Sequence, residues 1–289
     1  VKPPISQLKR LPKGAFELAI TVPQDIVKNT YEEVVNDAVK NAEIPGFRKG
    51  TAPRDRVEPG LDKKNIYEEI VKRLIPKFYV DAISEHKLRP ILNPRVQLIS
   101  AEENKDWTFT ATSCEAPEVT LGDYKSEVKK TLASDNLWVP GKGDPTKKEG
   151  VDKDEKLNKI IDHLLNTIPI EPSDLLVEEE TNHSLARLVD QTQSLGITVE
   201  QYLASTGKTA ETLRAEYATA AKRNLQVEFL LNAIVKDLNV QTSQKEIDDL
   251  IASAPDEKSR ENLNTPSQRA SIAAIFARRR ALDSLLSLA

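Results

Sequence analysis

A single change of hydrophobic period divides this chain. Strand-like alternation at period two, which buries one face of a sheet, is confined to the first 113 residues. Phe16, Leu18, Ile20 and Val22 alternate in A-F-E-L-A-I-T-V (15–22), and the pattern returns in R-V-Q-L-I-S (95–100) and W-T-F-T-A-T-S (107–113). The last two runs are expected to pair as a hairpin. Between the first run and the last two lie two helical stretches. Residues 24–43 carry Val27, Tyr31, Val34, Val35 and Ala38 on one side, and residues 62–86 carry Ile66, Ile70, Leu74, Phe78, Ala82 and Ile83. Pro76 lies inside the second stretch and is expected to kink it. The order β-α-loop-α-β-β predicts an α+β domain over residues 1–115.

From about residue 154 the period is helical to the end. Helices are expected near 154–167, 173–195, 199–206, 209–238, 243–253 and 265–287, separated by breaks such as I-P-I-E-P-S-D, Gly196, T-G-K-T and N-T-P. The helix over 209–238 would be about 45 Å long at roughly 1.5 Å per residue. No helix is apolar all round and no heptad run is sustained, so an all-α, open, arm-like array is expected over 154–289. Residues 116–153, with Pro117, Gly122, Pro140, Gly141, Gly143, Pro145 and Gly150 among charged clusters, read as an extended linker.

Most chemistry is excluded by what the chain lacks. No apolar run approaches the roughly 18 residues of a membrane span, and the N-terminus shows no signal-like apolar core. The sequence starts at Val1 rather than Met, which leaves room for an upstream segment. Cys114 is the one cysteine, so there is no intramolecular disulfide and no cysteine-rich zinc site. His86, His163 and His183 are far apart and none has a metal-ligand spacing; they read as surface groups. No nucleotide-binding, dinucleotide or serine-hydrolase fingerprint occurs, so neither a catalytic residue, a metal nor a cofactor is expected. The R-R-R triple at 278–280 reads as a solvated or helix-end feature. Charge is uneven along the chain. Residues 1–113 hold 19 Lys and Arg against 16 Asp and Glu, and the remainder holds 22 against 29. An anionic partner would therefore meet the front of the chain first.

One loop does not fit a purely structural role. I-P-G-F-R-K-G-T-A-P (44–53) is punctuated by Pro45, Gly46, Gly50 and Pro53, so it cannot be helical. It carries Phe47, an aromatic of the kind that anchors interfaces, beside Arg48, a planar fork for carboxylate or phosphate, and Lys49. The prolines limit its freedom, so docking would order little. Arg54 and Arg56 read as an extension of the positive charge. On the residues alone, an ordinary helix–helix connection with Phe47 tucked inward is the plainer reading.

G-F-R-K-G-T-A-P also fits G-F-R-x-G-x-x-P, the ribosome-docking signature of the bacterial trigger factor family. The stretches K-F-Y-V-D-A-I-S-E-H-K-L-R-P-I-L-N-P and A-P-E-V-T-L resemble that family's N-terminal domain. I-P-I-E-P-S-D-L-L-V-E-E-E and L-G-I-T-V-E-Q-Y-L-A-S-T-G-K-T resemble its helical chaperone domain, whose architecture is similar to that of periplasmic chaperones. The resemblance implies an ATP-independent chaperone that docks at the polypeptide exit of the large ribosomal subunit and shields nascent chains. Phe47, Arg48 and Lys49 would then meet ribosomal protein and RNA, with Gly46, Gly50 and Pro53 holding the loop. A client surface on the helical domain would include Leu185, Leu188, Val189, Leu195, Tyr202, Leu203, Leu230 and Leu231.

One departure is large. Family members usually carry an FKBP-type prolyl isomerase domain between linker and helical domain. Here that gap is only Ala133 to Lys153, and a domain of that class needs on the order of 100 residues. No prolyl isomerase activity is expected. The competing reading is a ribosome- or RNA-binding assembly factor without client holding, marked by steep salt dependence. A bacterial cytoplasmic setting is expected, or a plastid stroma if a transit peptide has been removed. Some relatives dimerise, so the resemblance implies that the protein can form a homodimer off the ribosome.

Overall fold

The computed structural model describes residues 5–42, 47–48, 53–135, 149–240 and 242–288. It divides into two compact units, Val1–Ala116 with Ser173–Leu176, and Pro117–Pro172 with Val177–Ala289.

The first unit is built on an antiparallel sheet in the order β1-β2-β4-β3. Its strands are β1 (Ile5–Arg10), β2 (Ala15–Val22), β3 (Arg95–Ser100) and β4 (Trp107–Cys114). Register places Leu18 opposite Ala111 and Ile20 opposite Phe109, so the alternating residues of β2 and β4 share one face. Phe16, Leu18, Ile20, Val22, Trp107, Phe109 and Ala111 are all buried there. Two helices supply the rest of that core. The helix α1 (Gln24–Asn41) contributes Val27, Val34 and Val35. The helix α3 (Lys63–Glu85) contributes Ile66, Ile70, Leu74, Phe78 and Ala82, each four residues on from the last. The short α2 (Arg54–Val57) lies between them in sequence. Pro76 does not interrupt α3. It sits on the exposed side, where water can bond the Lys72 carbonyl that a proline nitrogen cannot.

The expected strands and helices of this unit are present, and β1 joins them unforeseen. It is an edge strand whose I-S-Q-L-K-R has no alternation, and among the described residues it pairs with β2 alone. The other edge, β3, exposes Val96, Leu98 and Ile99.

Among the described residues every regular element of the second unit is a helix: α4 (Tyr124–Asp135), α5 (Glu149–Thr167), α6 (Asp174–Ser194, whose first residues Asp174–Leu176 belong to the first unit), α7 (Val199–Thr206), α8 (Ala210–Asp237), α9 (Gln244–Ala252), α10 (Glu257–Leu263) and α11 (Pro266–Ser287). The breaks follow local chemistry. Thr198 with Gln201, Thr209 with Thr212, and Ser243 with Glu246 form reciprocal capping boxes at the starts of α7, α8 and α9. Gly207 ends α7 in a left-handed conformation, φ 65°.

The main core of this unit joins Tyr124 and Val128 to Ile160, Leu164, Ile168, Ile170, Leu230, Ile234, Ala281 and Leu285. A smaller one gathers Ile247, Ile251 and Ile272. The structure corrects the reading of 116–153 as extended. Residues 124–135 form α4, because Tyr124 and Val128 are one helical turn apart and both are buried. The Tyr124 hydroxyl donates to Asp237 at 2.9 Å, and Glu127 meets His163 of α5 at 3.0 Å, so α4 is fastened to its neighbours. Pro140, Gly141, Gly143 and Pro145 lie outside the described residues.

Candidate functional site

The G-F-R loop runs from the end of α1 to the start of α2. Of its candidate residues, Phe47, Arg48 and Pro53 are described, whereas Gly46, Lys49 and Gly50 lie outside the described residues. Phe47 is 46% exposed, which departs from an ordinary connection with its aromatic tucked inward. Arg48 is exposed beside it. A phenylalanine left in water without cover loses the free energy of burial that the core aromatics gain, about 25 cal/mol per Å² of apolar surface. Burial against a partner would recover it.

Ion pairs brace the helices on either side of the loop. In the last turns of α1, Asp37 accepts from Arg73 of α3 at 3.0 Å. Where the loop ends, Pro53 caps α2 with φ −59°, and Arg54 follows as the first helical residue. Arg54 Nη1 donates to Glu32 Oε2 of α1 at 2.6 Å, while Nε donates to Glu58 Oε2 one turn ahead at 2.9 Å. The hydrogen bond from Arg54 holds the Glu32 carboxyl below its ordinary pKa, and the two carboxylates raise that of the guanidinium. Arg54 is therefore engaged within the fold, which corrects its reading as part of the site's outward positive charge. Arg56 is exposed, without an ion pair among the described residues. The i,i+4 spacing of Arg54 and Glu58 was available in the sequence; the pairing with Glu32, 22 positions earlier, was not.

The eight candidate client residues separate by burial. Leu230 is completely buried in the main core of the second unit, and Leu188 and Leu231 are buried at 8% and 7% exposure. These three serve helix packing, because a side chain already enclosed has no surface left to offer. Leu185, Val189, Tyr202 and Leu203 are half-buried. Leu195 is 76% exposed at the α6–α7 turn, with Ile197 also exposed beyond Gly196.

The residues with chemical potential elsewhere have structural partners. Cys114 is buried, which pushes its thiol pKa up and disfavours the thiolate. Ser6 Oγ donates to Glu85 at 2.5 Å and lies 2.9 Å from His86 Nε2. The carboxylate there meets the serine instead of orienting the histidine, so the arrangement is not that of a nucleophilic triad. Among the described residues no cluster of three or more His, Cys, Asp or Glu could hold a metal ion. Arg278 bonds Glu228 and Asn232 of α8, and Arg280 bonds Glu246 of α9. Two of the three consecutive arginines thus brace helices. Among the described residues no helix is long and apolar enough to cross a membrane.

Comparison with known proteins follows the same two-part division. Residues 6–134 match the family described as bacterial trigger factor protein (TF), and residues 146–287 match the bacterial trigger factor protein (TF) C-terminus. A trigger factor of Streptococcus suis (strain 05ZYH33) is 37% identical over 109 residues, covering 38% of this chain and 26% of that protein. One from Staphylococcus epidermidis (strain ATCC 12228 / FDA PCI 1200) is 32% identical over 164 residues, 56% of this chain and 33% of that protein. The chain therefore aligns with about a quarter to a third of the length of these curated relatives. Among solved structures, one concerned with promiscuous substrate recognition by the trigger factor chaperone superposes with a TM-score of 0.66. The superposition covers 97% of this chain and 99% of that one, at 14% identity, and supports the fold alone.

Proposed function

Since the chain belongs to the trigger factor family, we propose that it is an ATP-independent chaperone that docks at the polypeptide exit of the large ribosomal subunit and shelters nascent chains. The observation that carries the reading is Phe47. It stands 46% exposed beside Arg48, in a loop that follows α1, itself tied to α3 through Asp37 and Arg73, and precedes Arg54, which ties α2 to α1. An aromatic anchor next to a cationic fork suits a surface made of protein and RNA phosphate together. Gly46, Lys49, Gly50 and Pro53 complete the docking loop.

Client contact falls to the exposed and half-exposed apolar residues of the helical unit, Leu195 with Leu185, Val189, Tyr202 and Leu203. Scattered apolar groups among charges give weak contacts, which suits release without nucleotide hydrolysis. The protein catalyses nothing in this reading. Only residues 135–145 separate the two family matches, too few for an isomerase domain of on the order of 100 residues. It works in the bacterial cytoplasm without a cofactor.

Co-sedimentation with large ribosomal subunits tests the docking. The chain should pellet with the subunit, and the combined Phe47→Ala, Arg48→Ala, Lys49→Ala variant should stay in the supernatant. Equal pelleting of the two would sink the assignment. A protease-coupled peptide assay should show no acceleration of proline isomerisation.

A further inference from the structure

We propose that Arg54 is a positioning residue for the docking loop, holding the loop's end against α1 and making no contact with the anionic partner itself. The inference rests on the docking reading above. Three observations carry it. The guanidinium spends its fork on two carboxylates of different elements, Glu32 at 2.6 Å and Glu58 at 2.9 Å, with a longer second contact to Glu58 at 3.5 Å. The side chain is only about one-third exposed, 36%, while Arg48 is exposed. Arg54 directly follows Pro53, whose fixed φ passes any displacement of α2 straight into the loop.

The geometry makes a pair of pins. Asp37 and Arg73 hold α1 to α3 near the loop's start, and Arg54 and Glu32 hold α2 to α1 at its end. Holding α1 to α3 and α2 to α1 restricts how the two flanking helices can move, so less freedom is left to lose on docking. Lysine could not replace Arg54 here. A single ammonium is a point charge and does not present the planar fork that spans two carboxylates.

Two substitutions in the full chain separate positioning from direct contact, because the two roles predict opposite results. Glu32→Gln removes a negative charge and releases Arg54. If Arg54 met ribosomal phosphate, docking would tighten. A positioning role instead weakens docking about two- to fivefold, the scale of a partly exposed ion pair. The slope of affinity against salt should stay unchanged, since no phosphate contact is lost. Arg54→Lys keeps the charge that phosphate would need but loses the fork, and should weaken docking to a similar extent.

Amide exchange in the free protein supplies a readout independent of the ribosome. The Arg56 amide, bonded to the Pro53 carbonyl at 3.0 Å, should exchange faster in both variants while far-UV circular dichroism stays the same. Unchanged or tighter docking with Glu32→Gln, a shallower salt slope, or unchanged exchange at Arg56 each overturns the assignment. Failure of the unsubstituted chain to sediment would instead remove the docking reading, and the proposal with it.

Discussion

Leu230→Ala distinguishes a core residue from a client-facing one, and its size can be worked from the structure. Leu230 is 0% exposed and sits with Ile160, Leu164, Ile234, Ala281 and Leu285. Truncation removes three side-chain carbons. At about 0.8 kcal/mol per buried methylene the transfer loss is roughly 2.4 kcal/mol. The enclosing side chains come from α5, α8 and α11, so they cannot close fully over the gap. The cavity left behind should bring the total to about 3.5 kcal/mol, inside the range of about 2.7–5 found for comparable leucine truncations. For a unit of this size that lowers the melting temperature by about 7–14 °C. Urea unfolding followed by far-UV circular dichroism measures the loss directly. Leu195→Ala is the control. At 76% exposure it should change stability by less than about 0.5 kcal/mol, yet reduce the protein's ability to keep an unfolded client from aggregating. A loss below about 1 kcal/mol for Leu230→Ala, with client holding impaired and the fold intact, would refute the assignment of Leu230 to the core.

Two further perturbations test the local chemistry. Thr198→Ala removes the hydroxyl that accepts from the Gln201 amide at 3.2 Å, and should destabilise the helical unit by about 1 kcal/mol in urea; a change under about 0.3 kcal/mol would show that α7 does not depend on its cap. Acid should loosen the roots of the loop. Hydrogen bonds from Arg54 and Arg73 hold the pKa values of Glu32 and Asp37 below their ordinary 4.5 and 3.8. Their stabilisation is therefore present above those ordinary values and is lost as pH falls through the lower, folded ones. Thermal melts between about pH 6 and 3 should show a decline that Glu32→Gln with Asp37→Asn makes shallower, and identical profiles would contradict the pairing.

Sequence pattern found those elements whose burial follows a single period. The alternation in β2 and β4 and the four-residue stripe of α3 state directly which face is covered. Pattern was weaker where a partner lies far along the chain. Tyr124 and Val128 are only two apolar positions in a polar helix, and the glycines and prolines around them masked a turn that Ile160 and Leu164 complete. The α10 helix has no buried residue, and Leu263 is its one partly buried apolar residue, so it leaves little hydrophobic trace. Leu230 and Leu195 look alike as letters, and only the neighbouring helices decide which is enclosed. The loop between α1 and α2 was legible through its punctuation, and the family through the G-F-R signature it carries. The engagement of Arg54 was not, because Glu32 reaches it through the folding of α1 against α2.

The two units also differ in when they can be finished. All the strands and helices around the first core lie between Ile5 and Cys114, so its apolar faces can close once the first two-fifths of the chain has emerged. The main core of the second unit joins Tyr124 and Val128 to Ala281 and Leu285. Chains are made from the N-terminus, and contacts distant in sequence form late. For more than half of its own synthesis, this protein carries apolar side chains whose partners do not yet exist. By that measure it belongs among the growing chains that a nascent-chain chaperone protects.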